Sequence, residues 1–217
     1  MRWTCDLGGC DEQGRSDEVN PVEKPCTGTR TVLPDIVVET RRVKLRPFIA
    51  EDLDRFRAIA SEEEVLRYLP ESDRMTPDQM KAVFHWLIEC YASNTRDRIR
   101  KLTLPIVVKS SGEIVGWCGL GPLDFDPSEI ELYIVISHDH WGQGYATEAG
   151  RAMLGYGFRE LGLPRTVAVV APANHASRRV IEKLEMKYER TVAGLAPEHR
   201  DYEGHLLFSM ERSGHAA

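Results

Sequence analysis

The chain has 217 residues, 42% hydrophobic and 29% charged, which is enough apolar material for one well-buried domain and an appendage but not for two full domains. No apolar run reaches the roughly 18 residues that a membrane-spanning helix needs, and the opening Met1-Arg2-Trp3-Thr4-Cys5-Asp6 lacks the apolar stretch of a secretory signal, so the expectation is a soluble cytoplasmic protein with no membrane partner. The formal charge of −6 is uneven: residues 1–35 carry seven acids against four bases, −3 of the total, and the nearly balanced remainder disfavours nucleic acid as a partner.

That leading segment is rich in Gly, Asp, Glu, Pro and Thr and shows no sustained period of 2 or 3.6. It buries too little surface to offset its ordering entropy, so residues 1–38 are expected to be a disordered extension before a domain over 39–213. Cys5, Cys10 and Cys26 fall in it without a fourth ligand at ordered spacing, and no metal is expected there. Cys90 and Cys118 lie in apolar-periodic segments, as buried, inert thiols do.

Arg41 to Pro47 alternates, with Val43 and Leu45 on one side, and reads as the first strand. Ala50 to Ala60 places Leu53, Phe56, Ile59 and Ala60 on one helical face, and Glu63 to Leu69 reads as a further short helical stretch. Thr76-Pro77-Asp78-Gln79 is a helix start, with Thr76 as cap and Gln79 as its box partner; behind it Met80, Val83, Phe84, Leu87, Ile88 and Tyr91 keep the spacing of one buried stripe. Leu102 to Val108 and Ile114 to Leu120, separated by Ser110-Ser111-Gly112, predict an antiparallel hairpin. In the next strand, Ile130 to Ile136, the carboxyl of Glu131 and the phenol of Tyr133 share a face.

Tyr145 to Leu161 has helical spacing and is stopped by Gly162-Leu163-Pro164. Thr166 to Val170 is a strand, Ser177 to Leu184 a short helix, and closing strands are expected near Glu189 to Ala193 and Leu206 to Met210. The order is that of a mixed α/β sheet with an antiparallel front half.

The chemistry concentrates at His140-Trp141-Gly142-Gln143-Gly144-Tyr145-Ala146-Thr147, where a strand passes directly into a helix. Unpaired N–H groups and the positive end of a helix dipole meet there, an anion site most naturally suited to phosphate, and Gly142 and Gly144 let a pyrophosphate approach the main chain. It is not a dinucleotide fingerprint, since the third glycine position is Thr147, nor a Walker loop, since no Gly-Lys-Ser/Thr follows; a nucleotide-phosphate enzyme is thereby disfavoured. A tight turn with glycines for geometry alone is the alternative. His138 and His140, at i and i+2 without a third ligand nearby, fit solvated or structural roles better than a metal site.

Glu131 to Glu148, followed by Asn174-His175-Ala176-Ser177-Arg178 and Glu182-Lys183-Leu184, resembles the GNAT superfamily, especially the branch of Rim-type ribosomal-protein N-terminal acetyltransferases. The resemblance covers Thr40 to Arg212 and rests on Trp141-Gly142-Gln143-Gly144-Tyr145-Ala146-Thr147-Glu148-Ala149. It implies a GNAT fold, α/β with a mostly antiparallel mixed sheet splayed between the fourth and fifth strands, Ile130–Ile136 and Thr166–Val170. It further implies acetyl-CoA as co-substrate, with the pyrophosphate on Trp141 to Thr147 and the pantetheine arm on main-chain groups near Ile134, Val135 and Ile136. Donors fixed there would stabilise the oxyanion of acyl transfer.

By the same resemblance the reaction is attack of a primary amine, a protein N-terminus or a small molecule, on the thioester. Glu131 is the candidate base, directly or through water, against the alternative of a solvated or cross-strand-paired carboxylate. Relatives often place the thiolate-protonating Tyr at the position of Ile181 here; Ser177 is the substitute, with Tyr133 second, against a capping or cofactor-binding role for the serine. Asn174 matches a pantetheine contact and is also an ordinary cap. Glu185 stands where relatives have Gly, so an altered turn is expected after that helix. Because one proton donor is missing, a catalytically silent acyl-CoA-binding sensor is the competing function. Dimerisation, common in relatives, is left open.

Overall fold

Thr76 opens the longest helix as its spacing demands: its Oγ1 accepts from the Gln79 N–H at 3.3 Å while the Gln79 Oε1 accepts from the Thr76 N–H at 2.8 Å. The computed structural model describes residues 36–69, 74–96 and 98–214. The expected extension, apart from its last residues, and Cys5, Cys10 and Cys26 lie outside the described residues.

The strands are β1 (Val38–Glu39), β2 (Val43–Leu45), β3 (Leu102–Val108), β4 (Ile114–Leu123), β5 (Asp126–Ile136), β6 (Arg165–Val170), β7 (Lys187–Thr191) and β8 (Leu206–Glu211). They form one sheet in the order β1-β2-β3-β4-β5-β6-β8-β7. Every neighbouring pair is antiparallel except β5 with β6. The helices are α1 (Leu53–Ala60), α2 (Glu63–Leu66), α3 (Pro77–Ser93), α4 (Tyr145–Arg159) and α5 (His175–Lys183). This is the α/β architecture that the resemblance implies, an eight-stranded, mostly antiparallel mixed sheet flanked by helices. No helix among the described residues is long and apolar enough to cross a membrane.

Each face of the sheet is covered by the helices that its alternation predicts. On one face Trp117 of β4 packs on Phe56 of α1 with ring centroids 4.8 Å apart, and Phe84 of α3 joins them at 5.3 Å from Phe56. On the other, α4 comes so close that a Cβ at Gly150 would lie 2.8 Å from Ile134 Cδ1, and one at Gly157 would lie 3.0 Å from Leu120 Cδ1. In the β4–β5 ladder Gly121 faces Glu131, Gly119 faces Tyr133 and Trp117 faces Val135. Glu131 and Tyr133 therefore share the face that α1 and α3 cover. Cys90 and Cys118 are buried, and burial pushes the Cys118 thiol pKa far up, as an inert thiol requires.

Several boundaries differ from the sequence expectation. The first strand is shorter and is preceded by β1; a 3₁₀ turn, Ala50–Asp52, precedes α1; the stretch after Glu63 is helical only to Leu66; and α4 ends at Arg159. β4 and β5 are longer than expected, closing the hairpin at Leu123 and Asp126. The seventh strand sits at Lys187–Thr191 rather than Glu189 to Ala193 because all five of its residues are exposed and no burial alternation marks it.

Candidate active site

β5 and β6 share one ladder pair, Glu131 with Val167. Beyond it β5 stays on β4 through Ile136, and β6 stays on β8 through Val170, so the two parallel strands part. The wedge between them is a cavity of 330 Å³. Its walls are β5 from Glu131 to Ile136, β6 from Ala168 to Val170, the start of α4, and the inner side of α5. Glu64 and Val65 of α2, Tyr68 and Leu69 after it, and Tyr202 with His205 line the remainder.

At one end lies the glycine turn. Gly142 and Gly144 take left-handed backbone, φ 75° and 84°, which glycine adopts without the steric cost of a Cβ. Gly144 caps α4 with no side-chain hydrogen bond, so the first N–H groups of a 15-residue helix are left for an anion. Apart from its chain neighbours, no heavy atom of the described residues lies within 4 Å of where a Gly142 Cβ would stand, so among them the approach to those groups is open. Trp141, 40% exposed, donates its indole N–H to the Ile136 carbonyl at 2.7 Å and so ties the turn to the end of β5.

The turn is braced from the far side of the sheet by Arg42, which sequence reasoning placed only in a strand. Its Nε lies 2.6 Å from Glu148 Oε2, its Nη1 donates to the Gln143 carbonyl at 2.9 Å, and its guanidinium lies 4.9 Å from the Tyr145 ring centroid. Glu148 also accepts from Thr40 Oγ1 at 2.6 Å and from the Arg42 N–H at 2.7 Å. Partial burial pushes the Glu148 carboxyl up, but these bonds together outweigh it and hold the group below the usual carboxylate range.

At the other end are the candidate proton carriers. Glu131 is 8% exposed; burial raises its pKa, Asp124 adds to the rise, and Lys101 and the Val169 N–H oppose it. A carboxyl with a raised pKa is better matched to accepting a proton near neutral pH than an ordinary one. Tyr133 is committed elsewhere, its hydroxyl 2.6 Å from Thr103 Oγ1 and 3.3 Å from the Leu102 carbonyl, and burial lifts its pKa well above the ordinary value. Ser177 lines the cavity from the first turn of α5, with its N–H donated to Asn174 Oδ1 at 3.0 Å. Asn174 is thus the cap of α5 and a cavity residue at once.

The cavity brings together Glu131, Tyr133, Ile134, Val135, Ile136, Asn174 and Ser177 with Trp141, Gly142, Gly144, Tyr145, Ala146 and Thr147. Gln143 is not among its lining residues; its side chain turns back to the Asp139 carbonyl at 3.2 Å. His138 lies edge-on to Trp141, centroids 4.9 Å apart, and His140 Nε2 is 3.4 Å from Glu113 Oε2. Ile181, at the position of the expected Tyr donor, is buried in the core. Glu62, also missed, accepts from Ser137 Oγ and the His138 N–H, each at 2.7 Å, and joins the start of α2 to the end of β5. Neither Arg42 nor Glu62 carries a local signal, since their partners are at least 101 and 75 residues away.

A glycine turn on an uncapped helix start, beside splayed parallel strands, fits the acetyltransferase (GNAT) domain, whose family pattern matches residues 42–187. The chain belongs to the GNAT acetyltransferase family. GNAT domains use acetyl-CoA, and the open turn and the wedge have the donors and shape for its pyrophosphate and extended arm.

Among similar GNAT chains, the uncharacterized N-acetyltransferase p20 of Bacillus licheniformis is 27% identical over 77% of this chain and 89% of its own length. Spermidine N(1)-acetyltransferase of Escherichia coli K12 is 28% identical over 68% of this chain and 74% of that one. A stretch of 85 residues is 41% identical to YkkB of Bacillus subtilis and spans 49% of that protein. Among solved structures, Mycobacterium smegmatis RimJ in complex with CoA-disulfide superposes with a TM-score of 0.64 at 22% identity, over 82% of this chain and 88% of that one.

Proposed function

We propose that this GNAT domain transfers the acetyl group of acetyl-CoA directly to a primary amine, with Glu131 as base and Ser177 as acid. The observation that carries the reading is one cavity with Glu131, Ser177 and the open glycine turn in its walls. Acetyl-CoA supplies an activated acetyl thioester. The pyrophosphate is assigned to the N–H groups of Gly142 to Thr147 and the arm to the wedge beside Ile134 to Ile136. Glu131 accepts the proton that the amine loses, and Ser177 Oγ donates one to the departing sulfur, so the C–N bond forms and the C–S bond breaks with no net change of charge on the pair once they re-equilibrate. Ser177 is preferred to Tyr133 because the Tyr133 hydroxyl is held by Thr103 and Leu102.

The acceptor is read as an amine of a peptide N-terminus or of a small molecule. A relative named as a spermidine acetyltransferase supports the small-molecule class, and the resemblance of Trp141 to Ala149 to the Rim-type branch supports the peptide class. The deciding experiment follows release of coenzyme A thiol across short peptides with varied first residues, polyamines and aminoglycosides. Acceptor-dependent release that is lost in E131Q and S177A, with acetyl-CoA affinity retained, is the expected result. Tight acetyl-CoA binding without release on any acceptor favours the silent sensor, a reading to which the buried Ile181 lends weight.

A further inference from the structure

Lys101 is 5% exposed, and an ammonium taken so far from water is costly unless an opposite charge or an aromatic face compensates it. Its main chain is fixed, the N–H donated to Asn94 Oδ1 at 3.2 Å and the carbonyl accepting from Asn94 Nδ2 at 2.9 Å. Its side chain crosses Gly121, where a Cβ would stand 2.7 Å from the Lys101 Cδ, and Gly121 is the ladder partner of Glu131. The Nζ ends 4.6 Å from the centroid of the Tyr133 ring, a cation–π contact, and that ring is itself anchored through its hydroxyl to Thr103. A buried cation is thereby held on the same sheet face as Glu131, over the strand directly beside it.

We propose that Lys101 is a positioning residue for the acetyl transfer: its buried ammonium, parked over Tyr133, keeps the Glu131 carboxyl in the ionised form that accepts the proton of the amine. The inference rests on the reading of Glu131 as the base. Among the described residues, the groups that act on Glu131 come from three segments. Burial disfavours its charge, and Asp124, between β4 and β5, does so too; Lys101, before β3, and the Val169 N–H, on β6, favour it; Tyr133 shares its strand face. Asp124 is in turn hydrogen-bonded by the Tyr202 hydroxyl at 2.6 Å, on the cavity wall. Lys101 is the one side-chain cation in this set, so removing it takes away a charge that opposes burial and Asp124, and the Glu131 pKa rises.

The test is kcat/KM against pH in the full chain, with the best acceptor from the panel, for wild type, K101M, K101Q, K101R and E131Q. Activity that needs ionised Glu131 climbs through the carboxyl pKa. Losing the cation therefore moves this acidic limb toward higher pH by about one pH unit, and lowers the rate on the limb about tenfold. The limb is expected to move in K101M and K101Q, to stay in K101R, and to vanish with the activity in E131Q. Two substitutions of different polarity keep the test open where one of them folds poorly. A limb at the wild-type pH in the neutral variants, whether or not the plateau falls, overturns the role of Lys101 and leaves a structural one. Wild-type activity in E131Q overturns the reading of Glu131 instead, whatever the lysine variants do.

Discussion

The guanidinium of Arg42 holds Glu148 across 106 residues of sequence and, by the same side chain, the carbonyl of Gln143 in the glycine turn. One residue of the sheet edge thus determines where the turn sits relative to the first turn of α4. A charge-assisted pair with good geometry is worth more than a neutral bond, and its loss frees the turn to fluctuate.

R42M is accordingly expected to raise KM for acetyl-CoA about tenfold, equivalent to about 1.4 kcal/mol, with a smaller change in kcat and none in KM for the amine. E148Q is expected to do the same, and the double variant to be no worse than either, as partners in one network behave. Steady-state kinetics with each substrate varied separately decides it; a rise in the amine KM of equal size would place the clamp elsewhere in function.

The face shared by Glu131 and Tyr133 depends on glycines in the opposing strand. A Cβ on Gly119 would overlap the Tyr133 ring and the Leu102 carbonyl, and neither the backbone of β3 nor a ring anchored by Thr103 gives way cheaply. Overpacking of this kind costs about 2 kcal/mol, so G119A should lower Tm by roughly 6 °C in a thermal melt. An unchanged Tm would mean that the β4–β5 register at this point is wrong.

Much of the architecture was legible because it is written in local periods. The Thr76–Gln79 box, the stripe on α3 and the alternation of β5 each follow from residues within a few positions of one another. The glycine turn was legible for the same reason, being contiguous. The clamp by Arg42, the link from Glu62 to Ser137 and the burial of Lys101 were not, since they arise only when the sheet brings distant segments together. β7 was misplaced by two residues because Lys187, Tyr188, Glu189, Arg190 and Thr191 are all exposed and carry no inward-facing pattern.

That exposed strand is nonetheless anchored by charge. Arg165 of β6 reaches Glu189 of β7 at 2.6 and 2.8 Å, with Glu129 at 3.1 Å and Glu211 at 3.3 Å, and Ser209 of β8 donates to Glu189 from between them. The Arg165 hydrogen bonds, then that from Ser209, lower the Glu189 pKa from 4.5 to about 2. A carboxyl depressed on folding adds stability that is complete above its unfolded pKa and is lost as pH falls through its folded one. Tm should therefore fall between pH 4.5 and about 2, and R165M should flatten that part of the curve while lowering the plateau. Equal acid slopes for both proteins would remove Glu189 from the account.

Glu185 stands where the family resemblance leads to a glycine, and it alone among the described non-glycine residues has positive φ, 63°. The expected alteration of the turn is absent. α5 ends in a full Schellman arrangement, with the Glu185 N–H on the Glu182 carbonyl at 3.0 Å, the Met186 N–H on the Ile181 carbonyl at 3.3 Å, and both Ile181 and Met186 buried. The turn is therefore maintained by its hydrogen bonds and by the apolar contact at the expense of a left-handed glutamate, which costs about 1 to 2 kcal/mol relative to glycine. Glycine gives back part of that through the greater freedom of its unfolded chain. E185G should consequently stabilise the protein by about 0.5 to 1 kcal/mol and raise Tm by roughly 2 to 3 °C, with acetyl-CoA affinity unchanged because the exposed side chain is not among those lining the cavity. A lower Tm in E185G would show that the glutamate side chain contributes an interaction larger than the strain it imposes.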